Sequence, residues 1–292
     1  MNHARHCLWL AIPWLWAGLA SGAERLVWQI GEPDGSYMEL AIARNHPAYR
    51  SRFARKAPVF EVGTSEARRD WPFIHPGPTD DWAGRRVHPF KIRFSLADEP
   101  RGVFTLRVEF ADVQSQAPPV YAVTVGGRTG HYRLRPGGGD SSLVNPKAGK
   151  PQKIELSVPA NLLRKGANEL VLACTEGSWV QYDAVTLLND PAGPMPKPDI
   201  QSVAVRPTPF YIRRNGKVRR AVEVTVGLTA PASDLAVQVE AGGEDFDVPL
   251  KQLPLFGGIS QEIGVADSPK PIEVKVTARA AGRTRLATVL LE

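Results

Sequence analysis

Residues 70–90, DWPFIHPGPTDDWAGRRVHPF, concentrate the side chains best suited to do chemistry. Trp71, Phe73 and Trp82 supply rings, His75, Asp80 and Asp81 titratable groups, and Arg85 and Arg86 fixed cations. Aromatic planes stack on the C–H faces of sugar rings, while carboxylates and guanidinium groups take hydroxyls in pairs of hydrogen bonds. Trp71, His75, Asp80, Asp81, Trp82 and Arg85, joined by Trp179 of GSWVQYDAV, are therefore expected as ligand-binding residues. The competing reading is that the rings cover one edge of the fold and the acids solvate the loop. Asp80 and Asp81 also raise glycoside hydrolysis, which needs two carboxyls facing each other ~5–9 Å apart. Neighbours in an extended segment point to opposite sides, so this pair fits that geometry poorly.

Other chemistry finds little support. H-x-D, H-E-x-x-H and C-x-x-C do not occur, which removes the common zinc spacings. GTSEA lacks the second glycine of a nucleophile elbow, and RPGGGDSS lacks the Gly-Lys-Ser/Thr that completes a phosphate cradle. His46, His75 and His88 each precede a proline, which biases them to extended backbone. No catalytic residue is expected. In QYDAVTLL, Asp183 shares strand parity with Val185 and Leu187, so without a bulge its carboxylate faces the core. A buried anion needs a cation or several donors. Two answers stay open: a structural calcium with Asp34 and Asp183 as metal ligands and Glu32 beside them, or hydrogen bonds from backbone amides or an arginine.

The elements that must carry these residues are strands. KIRFSL, FTLRVEF, YAVTV, KIELSV and NELVLA alternate apolar and polar residues with a period of two. Gly126-Gly127 reads as a hairpin turn, PANLLRKGAN as one short helical turn ended at Gly166, and VWQIGEPDGSYMEL as a strand meeting a structural corner at residues 31–36. Trp28, alternating with Leu26 and Ile30, is expected in the core. No long amphipathic helix appears, so the fold class is all-β. The run PAGPMPKP, residues 191–198, is too proline-rich for a sheet and reads as a stiff linker. Beyond it, residues 199–292 show strands at the spacing of a smaller immunoglobulin/fibronectin-III-like β-sandwich.

Residues 1–23 combine Arg5, an apolar run and Ser21-Gly22-Ala23, the pattern of a signal peptide cleaved after Ala23. That places the protein as secreted or periplasmic, with no membrane insertion expected of the rest. Cleavage removes Cys7 and leaves Cys174, which alternates with Leu170 and Leu172 as a small core residue. The formal net charge is +6, of which Arg5 supplies one. Two basic segments stand out, Arg52, Arg55, Lys56, Arg68 and Arg69, then Arg213, Arg214, Lys217, Arg219 and Arg220. Neither has the pattern of a nucleic-acid binder. They read as solvated faces or, alternatively, as contacts for an acidic polysaccharide.

WQIGEPDGS, FIHPGPTDDWAG, IRFSL, LLRKGANELVL and WVQYDAVTL, in that order, resemble the carbohydrate-binding-like domain of polysaccharide lyase family 4, the rhamnogalacturonan lyases. The resemblance implies a galactose-binding-like, carbohydrate-binding jelly-roll β-sandwich over residues 24–190, non-catalytic in itself. It carries over Trp28, Gly31 and Asp34, then His75, Asp80 and Trp82, then Tyr182 and Asp183. The same domain followed by an immunoglobulin-like module resembles the front of bacterial secreted proteins related to glycoside hydrolase family 38 α-mannosidases, whose catalytic domain opens with an H-x-D strand. The implied partners are a glycan or polysaccharide and a glycosidase or lyase catalytic domain lying outside residues 1–292.

Overall fold

The computed structural model describes residues 24–214, 216–248 and 258–292. The expected signal peptide, residues 1–23, lies outside the described residues. The all-β expectation holds: regular structure is dominated by strands, with short helical turns between them. Up to residue 190 these are β1 (Arg25–Gly31), β2 (Val59–Glu61), β3 (Ile74–His75), β4 (Phe90–Leu96), β5 (Val103–Val113), β6 (Val120–Val125), β7 (Arg128–Arg133), β8 (Gln152–Pro159), β9 (Gly166–Glu176) and β10 (Val180–Asp190). Helices α1 (Ala48–Arg52) and α2 (Ala67–Asp70) sit in the long connections before β4.

Two five-stranded sheets form. One runs β1-β10-β5-β8 with β3 added beside β10, and the other runs β2-β4-β9-β6-β7. All pairs are antiparallel except β2 with β4. The alternation read from KIRFSL and FTLRVEF turns Ile92, Phe94, Phe104, Leu106, Val108 and Phe110 inward, and these meet Leu170, Leu172, Tyr121 and Val123 in one core. Such a two-layer arrangement is what strands with one apolar face require to keep that face from water. β10 is central, buried along most of its length, because the loops before β4 cover the end of its sheet.

Two bulges break the simple parity. Between β1 and β10 the register shifts at Val27, so Leu26 is 61% exposed while Trp28 and Ile30 face the core. Between β10 and β5 the register shifts on either side of Tyr182, leaving Asp183 as an extra residue without a partner on β5. A bulge re-aims the side chain it carries. Asp183 consequently turns to the corner at residues 34–36, where it is buried but meets backbone amides and not the apolar core.

After residue 190 come β11 (Ile200–Arg214), β12 (Lys217–Leu228), β13 (Ala236–Ala241), β14 (Glu244–Asp247), β15 (Gly258–Val265), β16 (Ile272–Ala280) and β17 (Arg283–Leu291). They make a three-stranded sheet, β11-β12-β15, and a four-stranded sheet, β14-β13-β16-β17, around a second core of Val222, Val224, Val226, Val237, Val274, Val276 and their neighbours. The two sandwiches touch at β7 and β8: the Tyr132 hydroxyl donates to the Leu228 carbonyl at 3.0 Å, and the Ser157 amide donates to the Thr229 carbonyl at 2.7 Å.

Candidate functional site

The segment between α2 and β4 divides into an inner and an outer half. Trp71, Pro72, Phe73, Ile74 and His75 are buried, and Asp81, Gly84, Arg85, Arg86 and Val87 are exposed. The inner half is drawn in by pairing: β3 joins β10 through His75 with Val180 and Ile74 with Gln181. Trp71 then stands edge-on to Phe90, ring centroids 5.3 Å apart, and tilted against Tyr182 at 5.3 Å. Trp179 is also interior, 3% exposed. Trp71, His75 and Trp179 therefore cannot meet a glycan at the surface. Their expected role as ligand-binding residues is corrected to core packing, because burial keeps the indole area from water and leaves no ring face for a ligand.

His75 is part of a buried polar chain. Its Nε2 lies 2.6 Å from the His88 carbonyl oxygen, which can only accept, so Nε2 carries the proton. Nδ1 is then the acceptor for the Tyr182 hydroxyl at 2.7 Å, and that oxygen accepts from the Tyr121 hydroxyl at 2.8 Å. Phe90 stacks on the imidazole at 3.6 Å, and burial pushes the His75 pKa down to about 3. A neutral imidazole sealed in this way is a structural connector and not a general base for a solvent-side substrate.

Asp80 is likewise interior, 4% exposed. Its carboxylate accepts from the Gly77 amide at 2.7 Å and the Ser178 hydroxyl at 2.5 Å, and its carbonyl accepts from the Ala83 and Arg85 amides at 3.1 Å each. Burial raises its pKa while these donors oppose the rise. Asp80 thus pins the tight turn Asp81–Ala83 and is corrected from ligand-binding to positioning. What that turn presents is Asp81, Trp82 and Arg85, the three expected residues that reach the surface. Asp81 and Arg85 are paired with each other through both carboxylate oxygens. Trp82 is partly buried, edge-on to His46 at 5.4 Å and Tyr49 at 5.9 Å.

The expected metal ligands lie at the corner of residues 31–36. Asp183 Oδ1 accepts from the amides of Asp34, Gly35 and Ser36 at 3.1–3.2 Å, and Oδ2 from Gly35 at 3.2 Å. Burial lifts the Asp183 pKa to about 6 against the pull of these amides. Asp34 accepts from the Ser36 amide at 2.9 Å, the local turn its position suggested. N–H donors converging on a carboxylate occupy the directions a cation would need, so the corner answers the buried anion with amides. Gly31 is required here: at φ +77°, a Cβ would stand 2.2 Å from the Asp183 carbonyl oxygen. Among the described residues no group of three or more His, Cys, Asp or Glu is arranged to hold a metal ion.

A second carboxylate of this kind escaped sequence reasoning. Asp112, fully buried on β5, accepts from Gly138 at 2.6 Å, Gly139 at 3.0 Å and Lys150 at 3.0 Å. The glycine-rich RPGGGDSS loop is a cradle after all, for the chain's own carboxylate. A Cβ on Gly137 would sit 2.0 Å from the Val113 carbonyl oxygen, which is why the close approach takes glycine. The available signal was an acid at core parity in EFADVQ, but its partner lies 26 residues away.

Next to the Asp81–Ala83 turn runs an open groove of about 1020 Å³ between α1 and residues 84–86. Arg50, Arg55 and Arg86 line it, with Ser51 and Gly84. No helix among the described residues is long and apolar enough to cross a membrane.

Comparison with known proteins gives three results. No curated protein matches the chain. Solved structures with low similarity include a putative β-galactosidase from Bacteroides fragilis (10% identity, 70% of this chain and 32% of that one, TM-score 0.23) and the glycoside hydrolase domain of Endo-D from Streptococcus pneumoniae R6 (10% identity, 75% and 35%, TM-score 0.21). A β-glucuronidase from Parabacteroides merdae is similar at 12% identity over 70% of this chain and 28% of that one, TM-score 0.23. The chain spans about a third of the length of these structures, and at such TM-scores the likeness carries no weight for function. The family described as CBM-like, polysaccharide lyase family 4 domain III, matches residues 26–187, the whole first sandwich from β1 into β10 and more than half of the chain. The chain belongs to that CBM-like family of polysaccharide lyase family 4, domain III.

Proposed function

We propose that the chain is a secreted or periplasmic, non-catalytic accessory protein that contacts a pectic or mannan-type glycan through the rim of its first sandwich. The observation that carries this reading is the family match over residues 26–187, a carbohydrate-binding-like domain. The buried state of His75 and Asp80, and the mutual pairing of Asp81 with Arg85, leave no exposed acid–base couple in the segment that sequence singled out. The second sandwich, read as an immunoglobulin-like spacer, docks on the first through the β7 and β8 contacts. Calorimetric titration with pectic and mannan oligosaccharides tests the proposal, with Trp82→Ala expected to weaken binding by about tenfold through loss of the ring face. Silence of the unaltered protein across a broad glycan array would sink it. Export is checked by the mass of the mature protein, which should begin at Glu24; retention of Met1 in exported material contradicts it.

The burial of Trp71, His75, Asp80 and Trp179 favours one alternative, in which the same fold packs as an accessory part on a glycosidase or rhamnogalacturonan-lyase-type catalytic domain. A reading frame continuing past codon 292 into an H-x-D strand would favour the α-mannosidase-like arrangement, and a stop codon there would count against it.

A further inference from the structure

Some arginines of the first sandwich face carboxylates. Arg69 meets Asp70, Arg85 meets Asp81, Arg93 meets Glu61 and Glu169, Arg107 meets Glu155, and Arg133 meets Glu176. The groove between α1 and residues 84–86 gathers three arginines around one hollow instead. Arg50, Arg55 and Arg86 converge on it and no acidic residue lines it. Among the described residues none of the three makes an ion pair; Arg86 donates to the Ala54 carbonyl, which braces one wall. Nearby, Arg52 is turned away, donating to the Arg69 carbonyl at 3.1 Å and covering the Phe53 ring.

Three like charges around one hollow repel one another, and each adds a planar fork of donors suited to a carboxylate or sulfate. The volume, about 1020 Å³, is at the upper end of what a small-molecule site occupies and suits a stretch of polymer. The floor is open: Gly84, at φ +94°, has nothing within 4 Å of where a Cβ would be. Trp82, one residue before Ala83 in the same turn, packs against His46 and Tyr49 and does not line the groove.

We propose that this groove binds the acidic groups, carboxylates or sulfate esters, of a polyanionic glycan. The proposal rests on the glycan-contact reading above and narrows it to acidic chains. The test uses the full chain and four probes at low ionic strength: an oligogalacturonate, a sulfated dextran oligosaccharide, a neutral galacto-oligosaccharide and a single-stranded oligonucleotide. At least one of the two acidic glycans should bind about tenfold or more tightly than the neutral one, and which one does identifies the source of the negative charge. Arg50→Gln with Arg55→Gln, both exposed, should cost that ligand about tenfold per arginine at most and weaken its dependence on salt. The charge-matched control, Arg213→Gln with Arg285→Gln on the second sandwich, should change binding by less than about twofold.

Equal affinity for acidic and neutral glycans, or an equal loss in the control variant, overturns the groove as the site while leaving the glycan-contact reading in place. Equal affinity for the oligonucleotide overturns it in favour of undirected attraction of polyanions. Failure to bind any glycan, neutral or acidic, removes the parent reading and this one together.

Discussion

The interior of the first sandwich mixes aliphatic side chains with many rings, among them Trp28, Tyr49, Trp71, Phe73, Phe90, Phe110, Tyr121 and Tyr182, while that of the second is built from valine, isoleucine, leucine and alanine. The ring-rich core brings phenol and indole groups inside and must find partners for them. The His75–Tyr182–Tyr121 chain does so, whereas Trp28 Nε1, Trp71 Nε1 and the Tyr49 hydroxyl have none. The aliphatic core brings no such obligation, and its strands are joined by tight turns such as Gly242-Gly243 and Ala281-Gly282. Large rings can anchor irregular chain, which is how the connections between β1 and β4 hold a turn and a groove at the surface with only short helices and strands around them. The candidate site and the buried polar chain both belong to that half of the molecule.

The strongest way to break this contrast is to remove a ring. Trp71→Ala should destabilise the first sandwich by about 3–5 kcal/mol, the range for deleting a buried aromatic side chain with partial collapse of the cavity. Ile263→Val in the second core should cost only about 1 kcal/mol. Urea unfolding followed by tryptophan fluorescence and far-UV dichroism measures both. A loss below about 1 kcal/mol for Trp71→Ala would show that the segment merely lies over the core and does not complete it.

Much of the sheet architecture was legible because alternation is local. Ile92, Phe94, Leu106, Val108, Phe110, Leu170 and Leu172 face the core as their spacing requires, Gly126 and Gly127 both take positive φ at the β6–β7 turn, and residues Ala160–Leu162 form the short helical turn before Gly166. The site was legible only in outline. Proline, glycine and aspartate in residues 70–90 read as exposed loop, and nothing in their order says that β3 pairs with β10 and draws Trp71 and His75 inward. Parity fails at Val27 and Asp183 because a bulge is decided by what lies across the strand, here the amides of residues 34–36. Asp112 with Gly138, and Arg50 with Arg86, are pairs set by tertiary closure, and no sequence window contains both members.

Tyr182→Phe sharpens the contrast at a single atom. Removing that hydroxyl leaves His75 Nδ1 without a donor and the Tyr121 hydroxyl without an acceptor, both in a dry interior. The expected loss is about 2 kcal/mol, more than the usual net value of one hydrogen bond, because groups left unpaired bear their desolvation cost. In the unaltered chain, nitrogen-resolved NMR should show His75 as the neutral Nε2–H tautomer from pH 5 to 8. A His75 signal titrating near its ordinary value, or a Tyr182→Phe variant as stable as the parent, would remove the chain from the account of this core.

The boundary between the two sandwiches supplies the smallest and most specific effect. Glu176, at the end of β9, lies 2.9 Å from Arg133 and 2.7 Å from Arg206, and Arg206 also reaches Glu223 on β12 at 2.5 Å. The Ser260 hydroxyl donates to Glu223 at 2.6 Å. Burial, then the adjoining Glu223, pushes Glu176 up to about 7; burial acts the same way on Glu223, but hydrogen bonds from Glu176, Ser260 and Arg206 bring it below its ordinary value. Burial and Glu223 favour the protonated form of Glu176, against the pull of Arg206 and Arg133. Between pH 4.5 and about 7 the folded state holds a proton that the unfolded state has released, so stability falls as pH rises through that window, with the contribution fully present below it. The fall should be on the order of 1–2 kcal/mol. His131, whose pKa burial lowers, works in the opposite sense nearby, so the informative quantity is the difference between the chain and its Glu176→Gln variant. Glutamine carries no titrating proton, so the variant's urea midpoint should change less between pH 5 and pH 8 than that of the parent. Identical shifts in the two proteins would mean that Glu176 is ionised in the folded state, and that the arginines alone hold this junction.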